Sequence, residues 1–143
     1  MMKTLTNTAV QTDAWFELLT ESEAQQPRLW HYRWRPNPVT VRGPEQLTVL
    51  LTSLRAESDF AGITDEDNDR WAQVKRVGAG WWVEGRCPSE EWPSAFVPEG
   101  LVEGQRERTT ADHACWSHHA AAEIVWAWLD GRSVAGAVRI PAP

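Results

Sequence analysis

The chain has 143 residues, of which 42% are hydrophobic and 24% are charged, and its 20 acidic and 14 basic side chains give a net charge of −6. This length and composition predict one soluble globular domain over residues 1–143 and exclude a disordered chain. The acidic balance argues against direct binding of nucleic acid, whose partners usually present a basic surface. No stretch has the pattern of a signal peptide or a membrane span, so we expect a cytoplasmic protein without membrane contact.

In the first half of the chain, the hydrophobic periodicity predicts two helices and two strands. The clearest helix begins at a proline, and its leucines recur at helical spacing along one face. In the first strand, three aromatic side chains alternate onto one face, which we expect to be core. The elements are a helix over 13–23, strands over 29–35 (with Trp30, Tyr32 and Trp34) and 39–42, and a helix from Pro44 with Leu47, Leu50, Leu51 and Leu54.

In the second half, the pattern predicts a β-hairpin and then a helix followed by a strand. Residues 71–77 and 81–86 form the hairpin around a Gly-Ala-Gly turn, and Ser117 and Gly131 cap and end the helix. Together these elements predict an α+β fold, an antiparallel sheet of about five or six strands with two principal helices. The remaining predictions are polar loop over 57–69, mostly loop over 87–100, strands over 101–108 and 134–140, and a core face of Ala121, Ile124, Val125 and Trp128 on the last helix.

Two clusters of side chains resemble metal sites, and neither has the required spacing. The acidic run over 65–69 alternates carboxylates like a calcium loop, but Arg70 and Arg76 stand where an EF-hand needs Gly and Glu. The second cluster lacks another ligand pair at zinc spacing. No nucleophile elbow, zinc-protease or zinc-deaminase motif occurs. The second cluster consists of His113, Cys115, His118 and His119. Because neither cluster has the spacing of a metal site and no catalytic motif occurs, we expect no metal, no cofactor and no enzymatic activity.

Acidic residues and two tryptophans predict a surface that binds a protein partner. Periodicity places Trp82 and Trp126 on polar faces of their strand and helix. Trp126 has two explanations, cover by the N-terminal segment or exposure to a partner. An exposed Trp within a rim of acidic groups is typical of an interface with a basic protein. The predicted partner-binding residues are Asp65, Glu66, Asp67, Asp69, Trp82, Glu84, Glu123 and Trp126.

The C-terminal region carries a resemblance to a known family. An alanine-rich helix ends in Leu-Asp-Gly-Arg over 129–132, and Val-Ala-Gly-Ala-Val-Arg-Ile follows over 134–140. This arrangement resembles the C-terminal signature of the Imm1 family of immunity proteins, and the helix over 43–54 is similar to that family's first helix. The family often has a Trp in or after the last strand, where this chain has Ile140 and Pro141.

The resemblance implies an immunity protein that binds and neutralises a cognate secreted toxin, mainly of the deaminase fold. Such a toxin presents a basic active-site groove, which an acidic, Trp-rich protein is suited to occlude. The ten tryptophans leave a second hypothesis open, a small-ligand-binding or enzymatic α+β domain. Its pocket would be lined by Trp30, Tyr32, Trp34 and Trp116. A third hypothesis is a structural subunit of a larger assembly.

Overall fold

Seven strands form one antiparallel sheet, and two helices pack on one of its faces. The computed structural model describes residues 28–100, 116–134 and 136–141. The predicted α+β fold is confirmed, with a strand count slightly above the expected five or six. The order across the sheet is β2-β1-β3-β4-β5-β6-β7. The elements are β1 (Arg28–Tyr32), β2 (Val39–Val41), α1 (Pro44–Leu51), β3 (Phe60–Asp65), β4 (Arg70–Val77), β5 (Gly80–Arg86), β6 (Ser94–Pro98), α2 (His118–Asp130) and β7 (Ala137–Pro141).

Two strands, β3 and β6, occupy residues that the sequence predicts to be loop. β3 pairs with β1 and with β4, so it is an interior strand, and its short apolar run does not alternate as a half-buried strand does. β6 follows Pro93 and ends on Pro98, and a proline at the start or end of a strand removes few ladder hydrogen bonds. The loop predictions over 57–69 and 87–100 are therefore wrong where these strands lie.

Both described helices follow the sequence signals that predict them. Pro44 stands at the start of α1, and Leu47 and Leu51 are fully buried. The hydroxyl of Ser117 accepts a hydrogen bond from the backbone N–H of Ala120 at 3.2 Å, which caps α2. Gly131 ends α2 in the left-handed conformation, with φ of 76°. These caps fix where α2 begins and ends.

The main core lies between the helices and the sheet. The predicted core face of α2 is confirmed, because Ile124, Val125 and Trp128 are buried against the sheet. The indole N–H of Trp128 donates to the backbone carbonyl of Trp71 at 2.9 Å. A side chain at Gly85 would meet that indole at 2.5 Å, so only glycine lets α2 approach β5 this closely. We call the face of the sheet away from the helices the outer face.

Several predicted features lie outside the described residues. These are the helix over 13–23, the strand over 101–108, and two members of the histidine and cysteine cluster, His113 and Cys115. Neither helix in the described ranges is long and apolar enough to cross a membrane.

Candidate partner-binding surface

The chain turns sharply after β1 and carries Trp34 onto the outer face. The predicted strand over 29–35 ends at Tyr32, because Arg33 and Trp34 both take left-handed backbone conformations, with φ of 53° and 57°. Trp30 remains in the core, whereas Trp34 is 43% exposed. The prediction that Trp34 shares the core face of Trp30 is therefore wrong, since the turn breaks the alternation on which it depends.

Trp34 lies across the middle of the sheet as part of an aromatic ledge formed by His31, Trp34, Gly62 and Trp71. Its indole covers Gly62, where a Cβ atom would come within 2.0 Å of the ring. His31 stacks against Trp34 at 5.5 Å between ring centroids, and Trp71 meets Trp34 edge-on at 6.1 Å. The indole N–H of Trp34 points to the side-chain oxygen of Gln73 at 3.4 Å. The ring is thus held by neighbours on three strands while one part of it faces solvent.

The tight turn between β3 and β4 adjoins this ledge and is acidic. Glu66, Asp67 and Asp69 are all exposed there, and we call residues 66–69 the acidic turn. A cleft of about 300 Å³ is lined by Glu66 and Asp69 of the turn and by Trp71 of the ledge, and Arg70 and Arg86 also line it. Burial lowers the pKa of His31, and the nearby carboxylate of Glu66 opposes that shift. The ledge and the acidic turn therefore form one continuous surface.

Asp65, predicted as a partner-binding residue, lies inside the fold. Its side chain is 5% exposed and pairs with the guanidinium of Arg28 at 2.8 Å. Burial acts to raise the pKa of Asp65, but the backbone N–H of Asn68 and the guanidinium of Arg28 outweigh it and hold that pKa below its usual value. Arg28 also forms an ion pair with Asp130. The prediction that Asp65 presents its charge to a partner is wrong, because the buried ion pair with Arg28 already neutralises that charge.

Trp126 is half-buried, and Arg28 covers it. The guanidinium carbon of Arg28 lies 4.2 Å from the centre of the Trp126 ring, a cation–π geometry. Trp126 is therefore covered by a residue of β1, which neither explanation named, and cover by the N-terminal segment lies outside the described residues. Glu123 is exposed one turn earlier on α2 and lines a cleft of about 330 Å³ with Trp126 and Arg132.

Trp82, the other predicted outward tryptophan, is 4% exposed. It lies on the outer face as the alternation predicts, but there it packs in a second apolar cluster with Val77 and Val97. Its indole N–H donates to the carboxylate of Glu84 at 2.7 Å, so Glu84 satisfies a buried donor. The prediction that Trp82 faces solvent is wrong because a period of two distinguishes the two faces of a strand, not buried from exposed.

The eight predicted residues do not form one surface. Trp82 and Glu84 lie on the outer face, whereas Glu123 and Trp126 lie on the helix side. The tryptophan pocket of the second hypothesis is not assembled either. Trp30 is in the core, Trp34 is on the opposite face, and the indole of Trp116 donates to the backbone carbonyl of Phe96 at 2.9 Å.

The sequence does not predict the aromatic ledge, although one residue signals it. Gly62 interrupts an apolar run, and a glycine inside a strand often marks a place where another group approaches closely. Here that group is the ring of Trp34. Trp92, also unassigned from the sequence, is 74% exposed in the proline-rich loop between β5 and β6.

Comparisons with known proteins add no relative to these observations. No protein-family model, curated protein or solved structure matches this chain.

Proposed function

We propose that this protein is a cytoplasmic immunity protein that binds a cognate toxin and blocks the toxin's basic active-site groove. The observation that carries the proposal is the continuity of the aromatic ledge with the acidic turn. Together, the ledge and the turn combine an exposed aromatic centre with a negatively charged rim, which is the composition of a tight interface with a basic protein.

The conformation of Trp34 supports a role beyond folding. Two successive non-glycine residues, Arg33 and Trp34, occupy the left-handed region, which costs about 1–2 kcal/mol for each residue. Part of this cost is offset where the ring covers Gly62 and contacts His31 and Trp71. The exposed remainder of the ring contributes little to the fold. It is available to bury apolar area against a partner, as an aromatic hot-spot residue does.

The acidic turn supplies the electrostatic half of the proposal. Glu66 and Asp69 project from the turn between β3 and β4, beside the ledge. The whole chain carries a net charge of −6. Opposite charges on two proteins raise the rate of their encounter and orient it. A toxin that acts on nucleic acid must itself present a positive groove, so its active site is the surface that this rim attracts most strongly. The resemblance to the Imm1 family favours a toxin of the deaminase fold.

The test is protection by the full chain against the toxin encoded by the neighbouring gene. Co-expression with that toxin is expected to restore bacterial growth, and immobilised toxin is expected to bind the purified chain with an association rate that falls as salt is raised. The Glu66→Gln/Asp69→Asn variant keeps the shape of the turn and removes two charges, so we expect it to associate with the toxin more slowly than the wild-type chain. A wild-type chain that neither protects nor binds would contradict the proposed function.

A further inference from the structure

A cleft at the end of α2 gathers three arginine side chains, although the chain as a whole is acidic. The cleft has a volume of about 280 Å³ and is lined by Arg70 of β4, Arg139 of β7 and Arg132, which follows α2. Ser133 adds a hydroxyl group, and the ring of Trp128 borders the cleft. The three guanidinium groups come from separate elements of the fold, so the tertiary structure brings them together.

Two of the three guanidinium groups are fixed against Trp128. The guanidinium carbons of Arg70 and Arg139 lie 4.1 and 4.3 Å from the centre of its ring. Arg70 also donates from Nη1 to the backbone carbonyl of Trp128 at 3.0 Å, and Arg139 donates to the hydroxyl of Ser94 at 3.1 Å. These contacts restrict the arginine side chains before any ligand arrives. A ligand that uses their remaining N–H groups therefore loses less conformational entropy on binding.

The charges around the cleft leave a positive excess. Arg139 pairs with Glu90, and Arg132 pairs with Asp130. Arg28 also pairs with Asp130 but has a second carboxylate partner in Asp65, so the positive excess belongs to Arg70. Within the described residues, the contacts of Arg70 are with a carbonyl and an aromatic ring, which are both neutral.

The end of α2 does not remove this excess. Helix C-termini carry partial negative charge on their last carbonyl groups. Here Arg70 and the backbone N–H groups of Gly131 and Arg132 already donate to those carbonyls. The outward N–H groups of the three arginines therefore remain for an anion from solution.

We infer that this cleft binds a phosphate group, with Arg70, Arg132 and Arg139 as its donors. Planar guanidinium groups match the oxygens of phosphate in pairs, and several of them around one cleft are typical of a phosphate site. The group can come from free inorganic phosphate or from a phosphate monoester. Arg70 also lines the cleft between the acidic turn and the ledge, but phosphate binding is measured without a toxin, so the inference does not rest on the proposed function.

The probes are inorganic phosphate and methyl phosphate, titrated separately into the isotopically labelled full chain in a phosphate-free buffer. We expect saturable chemical-shift changes that include the backbone of Gly131 and the indole N–H of Trp128. Tighter binding of methyl phosphate would identify a monoester as the ligand, and equal or tighter binding of inorganic phosphate would identify the free ion. The absence of any saturable change with both probes would overturn the inference.

Arg132→Gln is the first variant, because its side chain is exposed and its loss leaves the packing around Trp128 intact. We expect phosphate binding to weaken about tenfold, since one charge-assisted contact is lost. Arg55→Gln is the matched control, because it makes the same chemical change at an exposed residue outside the cleft. Equal weakening in both variants, or none in Arg132→Gln, would overturn the site. Arg70→Gln is expected to weaken binding more strongly, in a variant first shown by its thermal transition to be folded.

Discussion

Tryptophan side chains meet charged groups in two regions of this molecule, and the two regions differ in what they leave exposed. On the helix side, Arg28 stacks on Trp126 and pairs with Asp65 and Asp130, so each charge has a partner within the chain. On the outer face, Trp34 is exposed beside an acidic turn. The same residue types therefore stabilise the fold in the first region and form an accessible surface in the second.

The largest expected effect compares two aspartates that lie four positions apart. Asp65→Ala removes the buried partner of Arg28, and we expect it to lower the free energy of unfolding by about 3–5 kcal/mol. Asp69→Asn, in the exposed acidic turn, keeps a residue type that tolerates the left-handed backbone of this position (φ of 55°), and we expect it to change that free energy by less than about 0.5 kcal/mol. Urea denaturation at neutral pH measures both. Similar losses in the two variants would show that the helix-side network is not the more stabilising region.

A second prediction concerns Trp126, which the same network covers. Trp126→Ala removes a half-buried ring and its cation–π contact with Arg28, and we expect a loss of about 2 kcal/mol in unfolding free energy. Toxin binding by the folded variant is expected to stay unchanged, because Trp126 lies on the helix side. Weakened toxin binding without a loss of stability would reverse this assignment.

The pKa values of the network predict how the fold responds to acid. Burial acts to raise the pKa of Asp130, but hydrogen bonds and charge from Arg28 and Arg132 outweigh it and lower that pKa, as Arg28 and Asn68 do for Asp65. Carboxyl groups with lowered pKa values contribute stability that is complete above the unfolded value of 3.8 and is lost as the pH falls below it. Denaturation midpoints measured from pH 6 to pH 2 (about the range over which carboxyl groups titrate) should fall less steeply in Asp65→Asn than in wild type. An equal fall of the midpoints with pH in the two proteins would show that Asp65 does not contribute this acid-sensitive stability.

The smallest expected effect is kinetic and belongs to the acidic turn. In Glu66→Gln/Asp69→Asn we expect slower association with the toxin, by about twofold to tenfold at low salt, and a weaker dependence of that rate on salt. Dissociation is expected to change little, because rim charges act mainly during the encounter. A change confined to the dissociation rate would mean that these side chains lie at the centre of the interface.

The sequence predicts the helices and the central hairpin because their signals are local. The proline at the start of α1, and Ser117 and Gly131 at the ends of α2, act within a few residues of chain. β3 escapes such reasoning, since it is an interior strand whose apolar run does not alternate, and one of its two partners, β1, is distant in the sequence. The surface is harder still to predict. Asp65 is buried through Arg28, 37 positions away, and no local pattern contains that contact.

We propose that the aromatic ledge, and not exposed tryptophan in general, binds the toxin. Trp34→Ala and Trp92→Ala form the most direct test, because both remove an exposed indole and Trp92 lies outside the ledge. Dissociation rates from immobilised toxin are compared after thermal unfolding shows both variants to be folded. We predict that Trp34→Ala weakens binding by about 2 kcal/mol or more, mainly through faster dissociation, and that Trp92→Ala binds like wild type. Wild-type dissociation in a folded Trp34→Ala variant would contradict the claim.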